Sequence, residues 1–300
     1  MMHPRATRTT GSRDMHIREI DRIINAIATS DGAGVSLRRS LGQTQAMRVD
    51  PFLMLDEFGS DQPDDYLPGF PPHPHRGFET VTYMLEGRML HEDHLGNRGE
   101  LDPGGAQWMT AGRGIVHSEM PRQSEGRLHG FQLWVNLPAA EKMQPASYRD
   151  IGPEEIPEAP LPGGGVARVL AGTLDVDGEA VTGPVTGKST APLYFDLHLT
   201  PSETLVVPVS DGLNGFVYVY DGIALAGSEQ ATTKLEARQA GVLGNGDSVR
   251  VVAGEHGARV LLIAGKPIGE PIVQHGPFVM NTSAEIDRAM SDYRDGTLTD

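Results

Sequence analysis

The chain has 300 residues, 38% of them hydrophobic, with a mean hydropathy of −0.29, which is enough to bury one large core or two moderate ones. Its formal net charge of −15 argues against direct nucleic-acid binding, which needs clustered Lys and Arg against phosphate. No apolar run reaches the roughly 18 to 20 residues that span a bilayer, so no membrane association is expected. Cysteine is absent, so disulfides and thiolate ligands are excluded and any metal must be held by His and carboxylate. The 37 Gly and 22 Pro favour many short strands over long helices.

In chain order, residues 1–14 are polar and Arg-containing, which reads as a flexible tail rather than an export signal and makes the cytoplasm the expected compartment. Arg22–Ala28 and Val35–Arg39 read as strands joined by the turn Ser30-Asp31-Gly32-Ala33-Gly34. Pro51–Phe58 is an apolar strand, and residues 61–72 form a loop rich in Pro, Asp and Gly. Phe78–Leu85, Arg88–Asp93, Gln107–Thr110, Ile115–Met120 and Gly130–Leu137 follow as short strands separated by Gly and Pro turns. This spacing predicts a closed antiparallel barrel or jelly roll over residues 15–138. Residues 139–165, Pro-rich and acidic, are expected to be a linker or crossover. Strands resume after residue 166, giving a second domain over 166–300 with no paired ligands; its His198, His256 and His275 read as surface or structural. Thr282-Ser283-Ala284-Glu285 is a capping box and predicts a short helix that ends near Gly296.

The stretch that carries chemistry runs from His73 to Glu119. Its ends hold His73-Pro74-His75 and His117-Ser118-Glu119, each a pair of donors spaced i, i+2. On a strand such pairs point to one face. If the two strands face each other, three imidazoles and one carboxylate converge, a set suited to a divalent first-row transition metal. A single HxH would read as surface histidines on a hairpin. Two pairs, with His91, His94 and His129 between or beside them, favour a metal site. His91, His94 and Arg113 are candidates for lining or supporting it, with His94 the weakest. Trp108, Met109, Phe78 and Trp134 read as core.

The segments His73-Pro74-His75-Arg76-Gly77-Phe78-Glu79-Thr80-Val81-Thr82-Tyr83, Met109–Glu119 and Gly130–Pro138 resemble the signatures of the pirin family. So do Pro51–Phe58 and Gly276–Thr282, and the resemblance covers about residues 20–295. It implies an all-β fold of two cupin domains, jelly-roll β-barrels packed face to face, with a short C-terminal helix and iron in the N-terminal barrel. It implies His73, His75, His117 and Glu119 as the metal ligands, in agreement with the spacing. Many cupins instead use the Glu four residues after the HxH pair, here Glu79, and a later His whose place is taken by Trp108. Glu79 is therefore left outside the ligand set, as a partner that orients a ligand imidazole or as a packed strand residue.

Fe(II) is the expected metal, with Mn, Co, Ni, Cu and Zn also compatible with the donor set. The resemblance further implies a dioxygenase of the quercetin 2,3-dioxygenase type. Such an enzyme takes a small aromatic, enolisable substrate and O₂, with Glu119 as both ligand and general base. The alternative from another class is a non-enzymatic, metal- or redox-responsive regulator with a protein partner. A third reading, a binding cupin with a vestigial metal, is disfavoured by the intact ligands. A monomer is expected, since two packed barrels already cover each other.

Overall fold

The computed structural model of the protein describes residues 15–300, so the tail expected over 1–14 lies outside the described residues. The N-terminal half builds two antiparallel sheets. The larger is seven-stranded and contains β2 (Ile27–Asp31), β3 (Val35–Arg39), β4 (Phe52–Ser60), β6 (Phe78–Glu86), β9 (Ala106–Thr110), β11 (Leu128–Asn136) and β12 (Ser147–Ile151). The smaller is four-stranded, in the order β5 (Phe70–His75), β10 (Ile115–Pro121), β7 (Met89–Asp93), β8 (Arg98–Leu101). The β2–β3 hairpin turns at Gly32–Gly34, where the sequence places it.

Two segments pair across the expected boundaries. β1 (Ile20–Asn25) lies against β21 (Gln239–Leu243), in the sheet of the C-terminal half. Residues 139–165, expected to be a linker or crossover, pass from one half to the other and supply β12 to the N-terminal sheet and β13 (Glu158–Pro160) to the C-terminal one. Pro there leaves short extended stretches whose backbone groups find partners only at sheet edges.

The C-terminal half is a nine-stranded sheet that includes β14 (Val166–Ala171), β17 (Leu193–Leu199), β18 (Thr204–Pro208), β19 (Asn214–Ala226), β20 (Thr233–Glu236) and β22 (Ser248–Gly265). The hairpin of β15 (Thr173–Val176) and β16 (Glu179–Thr182) stands beside it. A last hairpin, β23 (Val273–His275) and β24 (Phe278–Met280), leads into α1 (Ser283–Arg294), the only α-helix among the described residues. Its cap is the predicted box: Thr282 Oγ1 accepts from the Glu285 amide while the Glu285 carboxylate accepts from the Thr282 amide. Among the described residues no helix is long and apolar enough to cross a membrane.

Period-two alternation sorts the strands into three layers. Phe195, Leu197, Val207, Val219, Val249 and Leu262 belong to the apolar core cluster of the C-terminal half. A second cluster joins Val81, Tyr83, Phe131 and Leu133 of the N-terminal half to Tyr194, Phe216, Tyr218 and Leu261 of the other, and so welds the two sheets back to back. Tyr83 donates to Asp196 Oδ2 at 2.8 Å and Tyr218 to Glu57 Oε2 at 2.6 Å across this seam. The other face of the seven-stranded sheet looks at β5 and β10. There Thr80, Thr82, Gln107, Asp56 and Glu119 are buried polar groups.

Candidate metal centre

β5 and β10 are neighbours, and His117 pairs directly with His73 while Ile115 pairs with His75. Alternation along β10 buries His117 and Glu119 and leaves Val116 and Ser118 half-exposed. The expected convergence of imidazoles follows. Ring nitrogens of His73, His75 and His117 all lie within 4.8 Å of one another. Their ring centroids are 4.3 Å apart for His73–His117, 4.7 Å for His73–His75 and 4.9 Å for His75–His117.

Both ring nitrogens of His75 and Nε2 of His117 are buried without a hydrogen-bond partner. Such orphaned groups are costly in an interior, and on each neutral ring one nitrogen carries a lone pair that a cation can accept. Burial, reinforced by His73, holds the His75 imidazole well below its usual pKa. Burial, with His75, His73 and His91 as neighbours, does the same to His117. Neutral imidazoles with free lone pairs are what a divalent cation requires, so the three side chains fit a metal.

Glu119 is 3% exposed, and its carboxylate lies outside the three-histidine group. Oε1 accepts from Thr82 Oγ1 at 2.9 Å and Oε2 from Gln132 Nε2 at 2.8 Å. The β-bulge between His117 and Glu119 shifts the register so that Glu119 lies opposite Phe70 rather than Pro71.

His91 supports the cluster. It is fully buried, its Nδ1 is 3.3 Å from His117 Nδ1, and its Nε2 is 3.4 Å from the buried Asp93 carboxylate. Its ring stacks on Tyr148 at 4.4 Å. A carboxylate behind an imidazole behind a prospective ligand fixes ring orientation. The His94 ring lies away from the cluster on the exposed side, where its Nδ1 accepts from the Val116 amide at 3.3 Å. Arg113 contributes its carbonyl, to Arg76 Nε.

Glu79 does not orient a ligand imidazole. It alternates with Thr80 onto the seam, where it accepts from Thr110 Oγ1 at 2.6 Å and pairs with Lys188 at 2.7 Å. Trp134, read as core, faces the site: its ring lies 5.3 Å from His75, edge to face, and its Nε1 donates to Gln132 Oε1. The residues missed by sequence reasoning are Thr82, Gln132 and Asp93. Gln132 was signalled, because it is the lone amide side chain inside the apolar run Phe131-Gln132-Leu133-Trp134-Val135.

A cavity of about 590 Å³ opens beside the cluster. His73 and His75 form part of its wall, with Met54, Phe58, Phe70 and Trp134 as apolar surface. The size and lining suit a small aromatic molecule.

The ligand strand is held by the C-terminus. Arg76 is 3% exposed; its Nη1 pairs with Asp292 at 2.7 Å and its Nη2 donates to the Leu298 carbonyl at 3.1 Å. The Val279 amide donates to the Arg76 carbonyl at 3.0 Å. Gly77 has φ +90°, and a Cβ there would sit 2.0 Å from the Val279 carbonyl oxygen.

Comparison with known proteins agrees with this architecture. Residues 34–135 match the family model described as Pirin, and residues 194–299 the one described as Pirin C-terminal cupin domain. A Pseudomonas aeruginosa protein provisionally named quercetin 2,3-dioxygenase is 55% identical, covering 90% of this chain and 94% of its own. Human Pirin is 45% identical, covering 88% of each chain. A crystal structure of quercetin 2,3-dioxygenase from Acinetobacter baumannii superposes with a TM-score of 0.85 at 31% identity, over 94% of this chain and 98% of that one. With both family models matched in order and relatives similar over nearly their whole length, the chain belongs to the pirin family, as a two-cupin protein.

Proposed function

We propose that this protein is an iron-dependent dioxygenase that opens a flavonol-like ring with O₂. The observation that supports the reading is the set of three convergent imidazoles, two of them with orphaned nitrogens, beside an aromatic-walled cavity of about 590 Å³. His73, His75 and His117 would hold Fe(II), with Glu119 as the fourth ligand. Bound there, the metal would supply redox chemistry toward dioxygen.

The chain's own groups do the rest. Glu119 takes the enol proton on a carboxylate oxygen, and the Thr82 hydroxyl and Gln132 amide position that carboxylate. His91, backed by Asp93, keeps the His117 ring oriented. Trp134, Phe58 and Met54 pack the substrate's rings and exclude water.

The test is turnover of quercetin under air by protein loaded separately with Fe, Mn, Co, Ni or Cu, followed by loss of flavonol absorbance and by release of carbon monoxide. Turnover is expected, with loss in His117→Ala and Glu119→Gln. Absence of turnover with every metal refutes the flavonol reading.

A second reading is a metal-responsive regulator that binds a protein partner. It draws on the contact between ligand strand and C-terminal segment, through which a change at the metal reaches the surface. Recovery of a partner with only one iron oxidation state would support it.

A further inference from the structure

A polar row runs from the metal centre into the cavity wall, and its far end, Asp56 and Arg39, has no part in the metal centre. Thr82 on β6 pairs in register with Gln132 on β11, Gln132 with Asp56 on β4, and Asp56 with Arg39 on β3. Thr82 and Gln132 hold Glu119 at one end. At the other end the Arg39 guanidinium grips both oxygens of Asp56, Nε to Oδ1 at 2.8 Å and Nη2 to Oδ2 at 2.7 Å. Gln132, Asp56 and Arg39 all line the cavity that His73 and His75 also line.

Strands lie about 4.8 Å apart, so Asp56 stands two steps, about 10 Å, from Thr82. That is a span which a two- or three-ring aromatic can bridge.

Packing does not require this row. In the C-terminal half the corresponding interior is packed with apolar side chains such as Val169, Phe195, Leu197, Val219 and Leu262. A buried ion pair gives little net stability over apolar residues of the same volume. The Asp56 side chain is 4% exposed, and Arg39 consumes only one direction on each oxygen. A carboxylate has about four lone-pair sites, so acceptor capacity remains on the cavity side. Arg39 also reaches Asp31 at 3.0 Å, on the cavity rim. Two acids and one guanidinium leave that end acceptor-rich and unfavourable to an anion.

We infer that the Asp56–Arg39 pair is a specificity site for the distal end of the substrate, selecting polyhydroxylated aromatics that carry an uncharged hydroxyl donor remote from the enol. This rests on the reading that the cavity takes the substrate, but it does not depend on dioxygen chemistry. The phenol hydroxyl donates to Asp56, while the enol end faces the histidines.

The test is calorimetric binding, without oxygen, of three flavonols to the iron-loaded protein: quercetin and kaempferol, which bear hydroxyls on the pendant ring, and galangin, which bears none there. Quercetin and kaempferol are expected to bind at least tenfold more tightly than galangin, a difference of about 1.4 kcal/mol. Asp56→Asn and Arg39→Lys are expected to reduce that preference to under threefold while galangin affinity stays within twofold. Equal binding of all three by the wild-type protein overturns the inference, and this arm needs no variant to fold. A variant that weakens all three equally overturns it as well. Preference in binding without turnover would refute the dioxygenase reading and leave the specificity site standing.

Discussion

Lys142 offers the sharpest check on how the ligand strand is supported. It is 1% exposed, and its Nζ donates to the Gly77 carbonyl at 2.7 Å, Asn136 Oδ1 at 2.6 Å and the Val279 carbonyl at 3.0 Å. One ammonium thus ties β24 to the residue that follows His75-Arg76. Replacing it by Met keeps an unbranched stem one atom shorter and removes all three donors. Each buried acceptor left alone costs about 1–3 kcal/mol, so the gross loss is about 6 kcal/mol.

The charge itself carries an opposing cost. Burial, against the pull of Glu270 and Glu285, lowers the Lys142 pKa to about 8 from the ordinary 10.5. Between those values the unfolded chain binds the proton and the folded chain does not, so keeping Lys142 charged at neutral pH costs about 3 kcal/mol. The net expectation for Lys142→Met is therefore a loss of about 3 kcal/mol at pH 7.

The sign with pH follows. Where the unfolded state binds more protons, stability rises with pH, so the wild-type protein gains between pH 8 and 10.5 a contribution the Met variant lacks. The gap between the two should widen by about 1.5 kcal/mol from pH about 8 to about 9.5. Urea denaturation followed by Trp fluorescence at both pH values measures it, and taking the difference between proteins cancels the buried tyrosines, which act alike in both. A gap that is negligible at pH 8, or that stays constant or narrows with pH, refutes the reasoning.

Three further outcomes are expected. Gly77→Ala forces a left-handed backbone on a residue with a side chain and drives its Cβ into the Val279 carbonyl; it should cost more than about 2 kcal/mol in thermal denaturation and lower metal content by elemental analysis. Tyr83→Phe removes a bond to Asp196 and one accepted from Arg168 at 2.9 Å; a loss of about 1–3 kcal/mol is expected, with metal content unchanged. Adding Fe(II) or Ni(II) at about 100 times its dissociation constant should stabilise the wild-type protein by about 2.7 kcal/mol and leave His75→Ala unmoved, because only the folded chain assembles the three imidazoles.

Much of this was legible in the sequence, and the physics of alternation explains which part. Spacing i, i+2 fixes the side of a strand, so His73 with His75 and His117 with Glu119 had to share faces, and the structure sets β5 beside β10. Alternation does not say which sheet a strand joins. That is why β1 turns up in the C-terminal sheet and β12 in the N-terminal one. Nor does it say which of two buried faces is the core and which the cavity. Trp134 and Glu79 sit on adjacent strands, both inside, yet Trp134 looks at His75 and Glu79 at Lys188. The polar row from Thr82 to Arg39 depends on register across four strands that are distant in sequence, and only pairing reveals it.

The clasp on Arg76 has a consequence for the order of synthesis. Arg76 and Leu298 are 222 positions apart, so the histidine ribbon leaves the ribosome long before the carbonyl that will secure its neighbour exists. A nascent or prematurely terminated chain can pair the ribbon of His73 and His75 with β10 but lacks the two C-terminal groups, Asp292 and the Leu298 carbonyl, that grip the neighbouring guanidinium.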